Sequence, residues 1–213
     1  LLLDLFGGAL SPGVVYSIAA LAEAYVLDPV SVAEAVDELR IDKYACLPLE
    51  GRVAFLPWTA TSMAQRALDL RYLAAHSPVR IPPPAPLVDF RAAPGPFDIE
   101  VGLRFAGRVL DVPGHFPAAR LFERSATVFA AYFLIRAGRD ATIGDELRRS
   151  RKVLVHLLDA PFTHAADASP DEQQVIVKRA LVDYLREHER LHEMVRSGTA
   201  EGALVGGGRP SVH

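Results

Sequence analysis

The chain has 213 residues, a formal charge of -3, 50% hydrophobic residues and 23% charged residues. This composition supports a buried core and excludes global disorder. No apolar run approaches the roughly 18 uninterrupted residues of a membrane span, and the single Cys46 excludes an internal disulfide framework and a cysteine-based zinc site.

The first ten residues are apolar but contain Asp4 and no basic stretch, so they do not read as a secretory leader; the expected compartment is the cytoplasm. Leu1–Phe6 is a short apolar segment, and Ser11-Pro12-Gly13 is a turn. Ser17 can cap a helix through Ile18, Leu21 and Ala22. Asp28-Pro29 supplies an N-cap acid and a first-turn proline for the next helix. Val32, Ala35, Val36 and Leu39 give that helix one apolar face. YACLPL and RVAFLP then read as two strands around Glu50-Gly51. Three helices and a two-stranded wing describe a winged helix-turn-helix, assigned to residues 1–75. Residues 1–60 hold three basic against eight acidic side chains, a net of -5, which is a poor match for nucleic acid.

Seven of the 16 prolines fall between Pro78 and Pro96, so 76–97 reads as a Pro-rich linker. Apolar periodicity predicts helices over 61–75, 98–111, 117–137, 145–159 and 171–196. The last has Ser169 as N-cap, Pro170 at the first position, and a stripe of Val177, Leu181, Tyr184, His188, Leu191 and Val195. The domain reading is therefore a helical bundle over 98–196 and a flexible tail over 197–213. The fold class is mainly α, a winged helix-turn-helix followed by an antiparallel helical bundle.

Leu10-Ser11-Pro12-Gly13, Leu21-Ala22-Glu23, Val32-Ala33-Glu34-Ala35-Val36 and then GRVAF stand in the order and spacing of the GntR family of bacterial transcription regulators. Downstream, DIEVGLRFAGRV and DELRRSRKVLVHLL resemble helices of the FadR-like branch with its all-helical effector (FCD) domain. The resemblance implies a homodimer that binds a small-molecule effector. It also implies a recognition helix opening with Ser-Arg and carrying a further Arg. Those places here hold Asp28, Pro29 and Ala33, so the guanidinium forks that grip bases and phosphates are missing. The remaining candidates for DNA contact are Arg40, Lys43 and Arg52.

The branch's effector domain often holds a metal through one Asp and three His. Asp98 matches the Asp, while the His places hold Gly102, Arg151 and Tyr184; a shifted register brings in His188. Such a set does not make a zinc-type site, and neither metal nor cofactor is expected. Asp98, Arg151, Tyr184 and His188 form instead a candidate ligand pocket, or an internal Asp98–Arg151 ion pair filling the same space. With His156 they could also move protons, as in a cyclase, isomerase or lyase acting on a hydrophobic carbonyl compound. His156 among apolar neighbours reads first as a core residue; His115 and His164 fall on loops. His188-Glu189-Arg190-Leu191-His192 matches the H-E-x-x-H pattern, but no third ligand follows at a suitable distance. Three functions stand: a small-molecule-binding protein on a regulator scaffold with DNA binding weak or lost, an acid–base enzyme on that scaffold, or an ordinary effector-controlled repressor. The expected partners are a small molecule and a second copy, with nucleic acid doubtful and no membrane.

Overall fold

The computed structural model describes residues 1–81, 96–111, 116–160 and 168–205, with only the backbone described for 116–117 and 199–205. The chain divides into two units, Leu1–Thr59 and Ala60–His213.

The first unit runs α1 (Leu2–Gly7), β1 (Val15–Ser17), α2 (Ile18–Tyr25), α3 (Pro29–Ile41), β2 (Ala45–Leu49) and β3 (Arg52–Phe55). This is the arrangement of a winged helix-turn-helix. Ser17 Oγ accepts from the Ala20 N–H at 3.5 Å, and Asp28 Oδ1 accepts from the Ser31 N–H at 2.9 Å. Both N-caps fall where the sequence places them. Val32, Val36 and Leu39 are buried on one face of α3, which packs on α2 and β2.

The sheet differs from the expected two-stranded wing. It has three strands in the order β1-β3-β2, both pairs antiparallel, with Val15 opposite Ala54 and Cys46 opposite Ala54 on the other side. β1 is only three residues long and pairs with a strand far along the chain, so no local alternation marks it. The ladder is irregular between Cys46 and Leu49. Pro48 lies there, and its missing N–H is tolerated because β2 is an edge strand.

The second unit is all helical: α4 (Ala60–His76), α5 (Pro96–Val109), α6 (Phe116–Arg139), α7 (Ala141–Asp159) and α8 (Pro170–Val205). The boundary between units falls at 59/60 rather than at 75. Trp58 is still tied to the first unit, its Nε1 donating to the Leu5 carbonyl at 3.2 Å. α4 instead buries Met63, Ala64, Ala67, Leu70 and Ala74 and packs on α8 and α6. The proline cluster marks a break in helix, whereas contacts define the unit, and the two do not coincide.

Of the predicted linker, residues 82–95 lie outside the described residues, as do His115, His164 and residues 206–213 of the tail. Residues 197–205 are helical rather than flexible coil, because α8 continues to Val205. Its start is a capping box. The Ser169 N–H and Oγ both donate to Glu172 Oε2, at 2.9 and 2.7 Å, and the Glu172 N–H donates back to Ser169 Oγ at 3.5 Å. No helix among the described residues is long and apolar enough to cross a membrane.

Two non-glycine residues of the first unit, Val26 and Lys43, have positive φ. Val26, at the end of α2, has φ 55°. A β-branched residue in the left-handed region is costly, and glycine or asparagine ordinarily serves there. Val26→Gly is therefore expected to raise stability by about 0.5–1 kcal/mol, read as a higher urea midpoint at unchanged slope; a lower midpoint contradicts the strain.

Candidate functional site

The pocket residues read from the sequence come from three helices. Asp98 sits in the first turn of α5 and is buried at 8% exposure. Arg151, on α7, brings its Nε to 3.8 Å from Asp98 Oδ2, an ion pair but not a hydrogen bond. Tyr184, on α8, lies against α5 and donates to the Ile99 carbonyl at 3.4 Å. Its seat depends on Gly102. A Cβ at that position would overlap the phenol oxygen and Cζ and stand 2.9 Å from Leu154 Cδ1. Burial, and then the nearby Asp98, push the Tyr184 phenol well above its ordinary pKa, so it stays neutral.

His188 lies one turn further along α8, its ring parallel to that of Tyr184 at 6.3 Å. It is 2% exposed, and its Nε2 is 3.3 Å from Nε2 of the fully buried His192. His192 in turn stacks on Tyr132 at 5.6 Å and meets Phe129 and Phe133 at 4.4 and 4.7 Å. Desolvation drops the His188 pKa from 6.5 to about 3 and holds His192 well below its ordinary value. Both rings are therefore neutral at pH 7, and one must donate its Nε2–H to the other. Neither Nδ1 meets a hydrogen-bond partner among the described residues.

The space left inside this cluster is small. A cavity of about 10 Å³ is bounded by Asp98, Ser150, Leu154, Tyr184, Glu187 and His188, room for about one water. So Asp98, Arg151, Tyr184 and His188 are gathered, but tightly packed. His156 is not with them: it is exposed on α7. Leu154 and Leu157 take the buried face, and a position two residues from Leu154 lies on nearly the opposite side of a helix.

The H-E-x-x-H pattern separates in the same way. His188 and His192 face inward, while Glu189 pairs with Arg71 of α4 at 2.5 Å. Among the described residues no group of three or more His, Cys, Asp or Glu gathers around one point. Glu146, which the sequence reading did not single out, is buried on α7 between Arg149 and Arg190. The Arg190 hydrogen bond, at 2.6 Å, is the largest cause holding its carboxyl below the usual range. Only the fold brings Arg190 to it, 44 residues along the chain. A roomier groove of about 430 Å³ lies where the end of α6, the start of α7 and α8 meet, lined by Arg136, Arg139, Thr142, Ile143, Met194 and Val195 among others.

In the first unit the candidate DNA contacts lie on three separate segments. Arg40, on α3, is bound to Asp37, Nε to Oδ1 at 3.0 Å. Lys43 is exposed just beyond α3, and Arg52 is exposed at the start of β3. The outward ridge of α3 carries Val30, Glu34, Asp37 and Ile41, at spacings of four, three and four that align them. The start of α3, where a helix can hold a phosphate, is occupied by Asp28. Hydrogen bonds from the Ser31 hydroxyl and N–H hold its carboxyl below the ordinary range, so this end carries a fixed negative charge.

No family model and no curated protein matches this chain. A solved structure, E. coli McbR/YncC, is similar at 14% identity over 91% of this chain and 93% of its own, with a TM-score of 0.30. At that level of superposition the likeness adds nothing to what the coordinates show.

Two outcomes follow from the interior. Gly102→Ala should cost about 1–3 kcal/mol in urea unfolding, from the forced displacement of Tyr184. In the double variant with Tyr184→Leu the cost should fall short of the sum of the two single changes; simple additivity contradicts the contact. The histidines make stability fall in acid. The unfolded chain takes up a proton near pH 6.5, while folded His188 resists protonation to about pH 3. The stability it contributes is thus complete above 6.5 and lost as pH falls toward 3. Between pH 7 and pH 4.5 this group alone should remove about 2–3 kcal/mol. A His188→Phe variant should show a shallower fall in urea midpoint over that range; an unchanged profile contradicts the assignment.

Proposed function

We propose that this chain is a small-molecule-binding protein on a regulator-type scaffold, with specific DNA binding weak or lost. The observation that carries this reading is the outward face of α3. In a winged helix-turn-helix this face enters the major groove. Here it offers two apolar side chains and two carboxylates, with a third carboxylate at the N-terminus. Bringing Asp28, Glu34 and Asp37 to a polyanion costs repulsion and gains no released counterions. Arg40, the cation of α3, is drawn to Asp37.

The ligand half of the proposal is supported by the groove beside Arg136 and Arg139. Its size suits a small molecule, and Arg136 and Arg139 outnumber the one carboxylate in its lining, Asp140, which favours an anionic ligand such as a carboxylate with a short apolar body. The packed cluster around Tyr184 supports no such role, because about 10 Å³ admits no substrate. The acid–base enzyme reading needs a substrate-sized space at that cluster.

The test is a selection of duplexes from a randomised pool, followed by anisotropy at physiological salt. The expected binding is non-specific and no tighter than about 1 μM; nanomolar binding to a selected sequence would overturn the reading. In parallel, a carboxylate panel is screened by thermal shift. A stabilising compound whose effect is lost in Arg136→Gln supports the groove, and a ligand unaffected by that change removes it.

A further inference from the structure

Four large apolar side chains cluster at the turn into α3 and along its outward ridge. Val26 is 91% exposed, Leu27 55%, Val30 67% and Ile41 53%. Single exposed apolar residues need no explanation, but Val26, Leu27 and Val30 stand together at the turn into α3, and Ile41 lies at the far end of the same ridge. Val26 adds an independent sign. It holds a strained backbone conformation at φ 55° while its side chain contributes almost nothing to the core. A glycine would hold that backbone with less strain.

Charge selects the occupant. Between the apolar ends of the ridge stand Glu34 and Asp37, and Glu23, Asp28 and Glu38 are also exposed, on α2, at the N-cap of α3 and on α3 respectively. That rim repels nucleic acid and anionic lipid alike. A second copy would set Glu34 and Asp37 against their like. A partner helix with apolar side chains toward its ends and basic ones between them satisfies both features. We propose that the α2–α3 turn and the ridge of α3 dock a basic amphipathic helix of a partner protein. Its apolar side chains cover Val26, Leu27, Val30 and Ile41, and its Lys and Arg face Glu34 and Asp37. The ridge from Val30 to Ile41 is about 16 Å long, which matches roughly three turns of the partner helix. The inference rests on the reading that α3 does not serve DNA.

The probe is a fluorescein-labelled synthetic helix of about 16 residues, with leucines in its first and last turns and Lys or Arg between them on the same face. It is titrated into the full chain at about 150 mM salt. Binding in the micromolar range is expected, weakened about tenfold or more by Val30→Ser, by Ile41→Ser and by Glu34→Lys. Replacing the peptide's basic residues with Glu should abolish it. All three substitutions are at exposed positions, and an unchanged urea midpoint shows that each variant is folded. Absence of binding at about 100 μM overturns the proposal. So does binding that the three substitutions leave unchanged, or self-association of the chain that Val30→Ser removes. The DNA selection above reports separately. A specific duplex would overturn the reading of α3 as silent toward DNA, whereas a failed peptide titration with no such duplex overturns the docking proposal alone.

Discussion

Tyr184 lies across α5 in space that any side chain larger than hydrogen at position 102 would need. The interior of the helical unit depends on that exclusion. The phenol closes over Asp98, leaving room for about one water. It also forms one wall of the cage around His188, with Phe129 and Phe133 as others. A ring enclosed by aromatic carbon loses more hydration on protonation than its neighbours return, so His188 and His192 remain neutral. The cluster is thus a packed polar interior around Asp98, Arg151, Tyr184 and the neutral imidazoles of His188 and His192. Its Asp98–Arg151 attraction acts at 3.8 Å, without the short bidentate geometry of a strong pair.

The first unit is governed by a different constraint, the placing of charge on α3. Asp28 completes the helix by accepting from Ser31, a cap worth about 1 kcal/mol. The same carboxylate occupies the positive end of the helix dipole and leaves it unavailable to an external anion. Capping the helix and repelling phosphate are two effects of one residue. Glu34 and Asp37 extend the negative field along the ridge, and Arg40 lies beside Asp37 in an exposed ion pair. The surface that remains is apolar at both ends and acidic in the middle.

Much of the architecture was legible in local pattern. The caps at Ser17, Asp28 and Ser169 act over three residues, and the faces of α3 and α8 repeat every three or four. The predicted helices accordingly lie close to those observed. What escaped was non-local. β1 becomes a strand only because β3 lies beside it. Residues 60–76 read as helix from periodicity, but their assignment to the second unit follows from packing on α8. His156 kept apolar neighbours in sequence yet turned outward, since adjacent residues on a helix point in different directions. The H-E-x-x-H pattern failed for a related reason: Glu189 found Arg71, a residue more than a hundred positions away.

The sequence by itself determined the order of the main helices, the caps at Ser17, Asp28 and Ser169 and the acidic character of the first unit, but not the start of α7, which Asp140 caps four residues before the expected one. These follow from short-range hydrogen bonding, from periodicity and from composition. It also brought Asp98, Arg151, Tyr184 and His188 to one candidate place. Only the tertiary structure sets how much room that place holds. Whether four polar side chains enclose a pocket or fill one depends on volumes a few ångströms across, and those were set by Gly102 admitting the Tyr184 ring.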